Sequence, residues 1–189
     1  MKGIEVRNII KNYGEVQALK NVSVFFGENK IYGLLGRNGA GKTTLLNSIT
    51  GRIFPDSGEI FVDGEPAIEN DNAQRKIFMM SEKNFYPEGM RVRDAIKWTK
   101  EFYPDFDRDY CMELAGKFGL KQNKKIKSLS TGYGSIFKLI LTLSTNAPYL
   151  LFDEPVLGLD ANHRDMFYKA LLQKYSEKPF TAVISTHLI

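Results

Sequence analysis

Apolar residues in the first eighty positions recur in short runs with a strand-like character. "IEVRNII" (4–10) and "VSVFF" (22–26) are rich in β-branched and aromatic residues, and "GEIFVDGEP" (58–66) holds an Asp63–Gly64 turn signal between extended halves. "KIYGLLG" (30–36) is an apolar strand running straight into glycines. From about residue 90 to 145 the period lengthens, predicting helices over Val92–Phe102, Arg108–Phe118 and Tyr133–Ser144, punctuated by Pro87 and Pro104. In the last of these, Ile136, Leu139, Ile140 and Leu143 fall at i, i+3, i+4 and i+7. "YLLFDEP" (149–155) and "FTAVISTH" (180–187) are short enough for buried parallel strands, with a helix near Asn162–Tyr175 between them. The pattern predicts α/β organisation with a helical insertion.

One stretch leaves a question open. In "SLSTGYG" (128–134), either Ser128 or Ser130 is placed to cap the helix behind it. The local sequence does not distinguish a cap from a helix N-terminus aimed at a ligand.

Composition narrows the class. A chain of 189 residues is large enough for a real core and predicts one domain with room for a subdomain. No run approaches the roughly 18 apolar residues of a membrane span, and "MKGIEVRNII" is too polar for a secretory signal. Cys111 is the single cysteine, so no intramolecular disulfide can form, which fits a reducing cytosol. A net charge of +4 is too mild to point to a nucleic acid or an anionic membrane.

The sharpest chemical signal is G-x-x-x-x-G-K-[ST] from Gly36 to Thr43, through Arg37, Asn38, Gly39, Ala40, Gly41 and Lys42. Three glycines let the backbone curl so that successive N–H groups face phosphate oxygens. The helix behind adds its N-terminal dipole, with Thr44 in its first turn. Lys42 is placed to reach the β- and γ-phosphates, and the Thr43 hydroxyl to bind Mg²⁺. With Gly near 7% of residues, the motif arises by chance in about one chain of this size in a hundred. A strand before it and "LLNSI" behind it argue for phosphate binding over a glycine-rich turn.

A second carboxylate site follows at "YLLFDEP". Asp153, at the end of an apolar strand, is placed to hold Mg²⁺, and Glu154 to act as general base on the attacking water. The whole helical region separates this strand from the phosphate loop.

That constellation resembles the nucleotide-binding subunit of ATP-binding cassette (ABC) transporters over nearly the whole chain. Tyr13 in "KNYGEVQAL" resembles the aromatic residue that stacks on adenine. Glu82 occupies the place of a metal-sensing glutamine, and "LSTGY" (129–133) resembles the LSGGQ signature, with Ser130, Thr131 and Gly132 as phosphate contacts in trans. "GLD" (158–160) resembles the loop that communicates across the dimer through Asp160, and His187 resembles the switch histidine. The resemblance implies a P-loop NTPase core with a mostly parallel central sheet, an N-terminal antiparallel β subdomain and an inserted α-helical subdomain. It places the nucleotide-binding core at about 1–85 and 146–189 and the helical subdomain at about 86–145.

The implied function is ATP hydrolysis with ATP and Mg²⁺, in a homodimer or heterodimer with another ABC ATPase subunit. Two ATP molecules would be sandwiched head to tail, driving separate membrane-spanning permease subunits from the cytoplasmic face, with no direct nucleic acid partner. The loop around 82–90 is where the family docks on its membrane partner. The versions of "FYPDFDRDY" and "LSTGY" found here are closer to small bacterial export-type or antibiotic-response cassettes than to nutrient importers. A soluble ABC-type ATPase acting on ribosomes or DNA, and a regulatory module that binds ATP without turnover, are the alternatives.

The sequence departs from the family pattern at Glu82, at Thr131 and at Tyr133, which replaces the signature glutamine. The family pattern also extends for further strands and a helix beyond His187. Lys121, Lys124, Lys125 and Lys127 read as a solvated loop or as a field attracting nucleotide or an acidic partner, and His163 as solvent-facing.

Overall fold

The computed structural model describes residues 1–187; the last two positions of the 146–189 segment lie outside it. Two compact units make up the chain. One holds Met1–Met79, Pro148–Asp153 and the chain from Phe180 onward; the other holds Met80–Ala147 and Glu154–Pro179.

The first unit contains two sheets. Strands β1 (Gly3–Tyr13), β2 (Val16–Gly27), β4 (Ser57–Val62) and β5 (Glu65–Pro66) form an antiparallel sheet in the order β2-β1-β4-β5. Strands β3 (Ile31–Leu35), β6 (Ile77–Met80), β7 (Tyr149–Asp153) and β8 (Thr181–Thr186) form the other, in the order β3-β8-β7-β6. In that sheet β8 runs parallel to both β3 and β7. Helices α1 (Lys42–Ile49) and α2 (Asp71–Gln74) complete the unit.

The strand signals explain most of this. In β1, Ile4 and Val6 are buried, but so is Ile9, out of phase with them. A bulge shifts the register between Val6 and Ile9, and Asn8 takes a φ of +51° within it. The Asp63–Gly64 turn has φ values of +54° and +85°, the mirror-image geometry that suits a tight hairpin. All five residues of β7 are buried, as a strand covered on both faces requires. One core joins Ile4, Val6 and Ile60 of the antiparallel sheet, Leu46 and Ile49 of α1, and Leu151 and Val183 of the parallel sheet.

The second unit is helical: α3 (Val92–Phe102), α4 (Arg108–Lys117), α5 (Thr131–Ser144) and α6 (Ala161–Glu177). Helix α5 begins two residues before the expected Tyr133, because Ser130 caps it: the Ser130 hydroxyl accepts from the Tyr133 N–H at 3.3 Å. Ser128 instead closes a 3₁₀ turn, donating to the Lys125 carbonyl at 2.7 Å. The expected stripe on α5 widens: Phe137 and Leu141 are buried as well, and from Ile136 to Ser144 every residue but Lys138 is buried. Thr142 and Ser144 satisfy their hydroxyls by donating at 2.8 Å to carbonyls one turn back.

Cys111 lies on α4 with no exposed surface, and burial pushes its thiol up to about 11. We expect the native chain to resist iodoacetamide at pH 8 and the urea-unfolded chain to be alkylated readily, because only the thiolate reacts. Mass spectrometry of both samples checks this; equal labelling would contradict the packing of α4.

Candidate nucleotide-binding site

The loop between β3 and α1 is shaped by its own backbone and by Lys42. Gly39 and Gly41 take φ values of +80° and +89°. A Cβ at Gly41 would sit 2.5 Å from the Ala18 carbonyl oxygen on β2, so only glycine fits there. The Ala40 N–H donates to the Arg37 carbonyl at 3.1 Å, tightening the curl. Lys42 is only 8% exposed, and its ammonium donates to the Gly36 and Arg37 carbonyls at 2.7 and 3.2 Å. The cation is thus folded back over the loop. Helix α1 starts without a side-chain cap, and its first turn carries no acid. A helix N-terminus in that state, with a lysine beside it, suits an anion.

Parallel register brings the carboxylate to this loop. β7 and β8 pair so that Asp153 stands opposite Ser185, and the Ser185 hydroxyl donates to Asp153 Oδ1 at 2.7 Å. The same oxygen accepts from the Thr43 hydroxyl at 3.1 Å, joining positions 110 residues apart. Asp153 is 4% exposed. Hard oxygen donors of this kind, one hydroxyl and one carboxylate, fit Mg²⁺, which completes its shell with water and substrate phosphates. Among the described residues no group of three or more His, Cys, Asp or Glu side chains is placed to hold a metal on its own.

The other first-unit residues, His187 and Tyr13, lie at strand ends. The Gly36 N–H donates to the Thr186 carbonyl at 3.3 Å, and His187 follows immediately beyond β8. Tyr13 is 48% exposed at the end of β1, next to the hairpin turn at Gly14, with the Lys11 ammonium 5.8 Å from its ring centroid. An exposed ring in that position is available for stacking.

The remaining predicted residues belong to the second unit. Glu154 takes a φ of +48°, and its carbonyl accepts from the Leu157 N–H at 3.1 Å, so the chain turns sharply right after β7. Glu82 is exposed; its backbone carbonyl and that of Ser81 accept from the Lys138 ammonium at 2.6 and 2.7 Å. Ser130 and Thr131 are exposed at the start of α5, with Gly132 half-buried behind them. Accepting from Tyr133 uses a lone pair of Ser130 and leaves its O–H as a donor. Asp160 caps α6: it accepts from the His163 N–H at 2.9 Å and pairs with His163 Nδ1 at 2.7 Å. These two bonds, the backbone one foremost, hold the Asp160 carboxyl below the usual carboxylate range.

The expectation that His163 faces solvent is corrected. Its side chain is 23% exposed and its ring stacks on Phe118. A polar helix start hid an aromatic neighbour contributed by α4, which no local pattern could reveal. Ser185 and Lys138 also escaped the sequence reading. Ser185 matters through strand register, and Lys138 is one polar residue on an apolar helix that reaches a backbone turn.

Together the curled loop, the capless helix and the strand-end carboxylate define a nucleotide-binding protein of the P-loop class. The sequence profile of the ABC transporter family matches residues 19–157. The Bacillus subtilis ABC transporter ATP-binding protein YtrB is 33% identical over 184 residues, covering 97% of this chain and 63% of its own length. Among solved structures, a Pyrococcus furiosus ATP-binding protein assigned to the ABC transporters superposes with a TM-score of 0.80 at 26% identity, covering 100% of this chain and 92% of that one. A dimeric bacterial ABC transporter cassette does so with a TM-score of 0.86 at 25% identity, covering 98% and 88%. The chain belongs to the ABC transporter family, as its ATP-binding domain. It spans less than two thirds of the length of YtrB.

Proposed function

We propose that this chain binds and hydrolyses ATP to power a membrane transporter. The observation that carries the reading is the bond from the Thr43 hydroxyl to Asp153, which ties a phosphate loop to a strand-end carboxylate. Lys42 would exchange its two loop carbonyls for β- and γ-phosphate oxygens, while the N–H groups from Gly36 to Thr44 cradle the phosphates. Thr43 and Asp153 would hold Mg²⁺, with Glu82 as the third metal contact that the resemblance implies; the bound ion neutralises charge on the phosphate oxygens. Tyr13 would stack on adenine. Glu154, the next residue after Asp153, would take the proton of the attacking water, and His187 would contact the γ-phosphate.

Two subunits, alike or not, would close on ATP, with Ser130, Thr131 and Gly132 of one meeting the nucleotide of the other and Asp160 communicating between them. Support for pairing comes from the dimeric cassette whose fold this chain shares. No helix in the described residues is long and apolar enough to cross a membrane; the separate permease subunits are what the family resemblance implies. Docking through the 82–90 loop would place this one peripherally on the cytoplasmic face.

The test of nucleotide binding is Lys42→Ala. Titration with a fluorescent ATP analogue and Mg²⁺ should show affinity at least about tenfold weaker, since a charge-assisted phosphate contact is lost, with the thermal midpoint nearly unchanged. Equal affinity in the variant would refute the loop as the phosphate site.

A further inference from the structure

The signature turn and the communication loop, both offered to a second subunit in the proposed cycle, are tied together within one chain. A Cβ at Gly132 would lie 3.1 Å from the Gly158 carbonyl oxygen, and one at Gly158 would lie 3.2 Å from Thr131 Cγ2. Beside these close approaches, the Ser135 hydroxyl donates to the Leu157 carbonyl at 3.3 Å. The outermost link is aromatic. His163, in the first turn of α6, stacks on Phe118 with ring centroids 6.3 Å apart and planes 19° from parallel. Tyr133, in the first turn of α5, meets the same imidazole edge-on at 6.1 Å and 65°. The same ring also holds Asp160: Nδ1 lies 2.7 Å from Oδ2, while Oδ1 accepts from the His163 N–H.

Each ring in this row therefore meets a neighbour from a different segment, with Phe118 at the C-cap of α4, and the row includes the carboxylate that caps α6. We propose that Tyr133 and His163 are positioning residues that latch the communication loop to the signature helix, so that Asp160 and Ser130–Gly132 meet the second subunit as one rigid piece. The inference rests on the reading of those two segments as dimer-facing. It accounts for the departure from the family motif at Tyr133. Glutamine has no ring to present edge-on to an imidazole, so Tyr133 and His163 are two halves of one contact.

Three variants of the chain test this: Tyr133→Ala, His163→Ala and the double variant, with Tyr133→Phe as the conservative control. In the absence of nucleotide, amide exchange at Leu157–His163 should quicken roughly tenfold in each alanine variant, because a local opening has become easier. ATP turnover should fall about tenfold in kcat with KM within about twofold, and the double variant should be no worse than His163→Ala alone, because that substitution already removes the contact Tyr133 makes. Tyr133→Phe, which keeps the ring, should restore both exchange and kcat. Unchanged exchange in both single variants would overturn the latch, and so would faster exchange with unchanged kcat, or additive losses. A wild-type chain that hydrolyses no ATP counts against the proposed function alone, and the exchange measurement then still decides whether the latch exists.

Discussion

Replacing Glu154 with glutamine should leave ATP binding intact and slow hydrolysis by about 10²- to 10⁴-fold, the range supplied by a general base. That corresponds to about 3–5 kcal/mol of barrier. Glutamine is the right probe because of the backbone. Glu154 holds a φ of +48°, and a β-branched replacement would add strain unrelated to proton transfer. Glutamine matches the side chain in size and removes only the proton acceptor. The variant should also accumulate as an ATP-held dimer, since closure no longer ends in cleavage. Single-turnover hydrolysis and light scattering with ATP and Mg²⁺ measure the two effects. A full-length protein whose Glu154→Gln form hydrolyses at the wild-type rate would remove Glu154 from the role of base.

The second large effect is expected at Gly132. Replacement by aspartate would place a carboxylate where the proposed dimer brings another subunit's γ-phosphate, and like charges at contact distance oppose each other strongly in a water-poor interface. Space adds to charge: any Cβ at this position already presses on the Gly158 carbonyl at 3.1 Å. ATP affinity of the monomer should stay within about twofold of wild type, because the phosphate loop is untouched, while ATP-driven dimerisation is abolished. Gly132→Ala separates the two causes, since it adds the methyl group without the charge. Sedimentation velocity with and without ATP provides the measurement. An aspartate variant that dimerises normally with ATP would show that the signature turn does not face the nucleotide.

Local chemistry made part of this site legible in the sequence. The phosphate loop is contiguous, so its glycines, Lys42 and Thr43 announce themselves, and the strand before Asp153 is apolar enough to be seen as buried. Helices α3 and α4 were predicted within a residue of their ends, because proline and an aspartate cap bracket them. What stayed hidden depends on pairing between distant segments. β6, "IFMM", has no alternation and gains its identity only by taking its place beside β7 in the second sheet. α2 is a single turn capped by Asn70, too short to carry a period. Ser185 reaches Asp153 only once register is set, and His163 reads as solvent-facing until α4 delivers Phe118.

The uneven burial of α5 bears on how such a subunit can diverge. Its second half is sealed from Ile136 onward, so inheritance there is constrained by folding itself. Its tip is held by contacts with His163 and the Gly158 turn rather than by the core, and at exposed Thr131 surface replacements typically shift stability by no more than about 0.5 kcal/mol. After a gene duplication, one copy could therefore accumulate changes at the tip while still folding as well as its twin. The two descendants would remain compatible partners with unequal faces, and asymmetry between paired sites could arise without passing through an unstable ancestor.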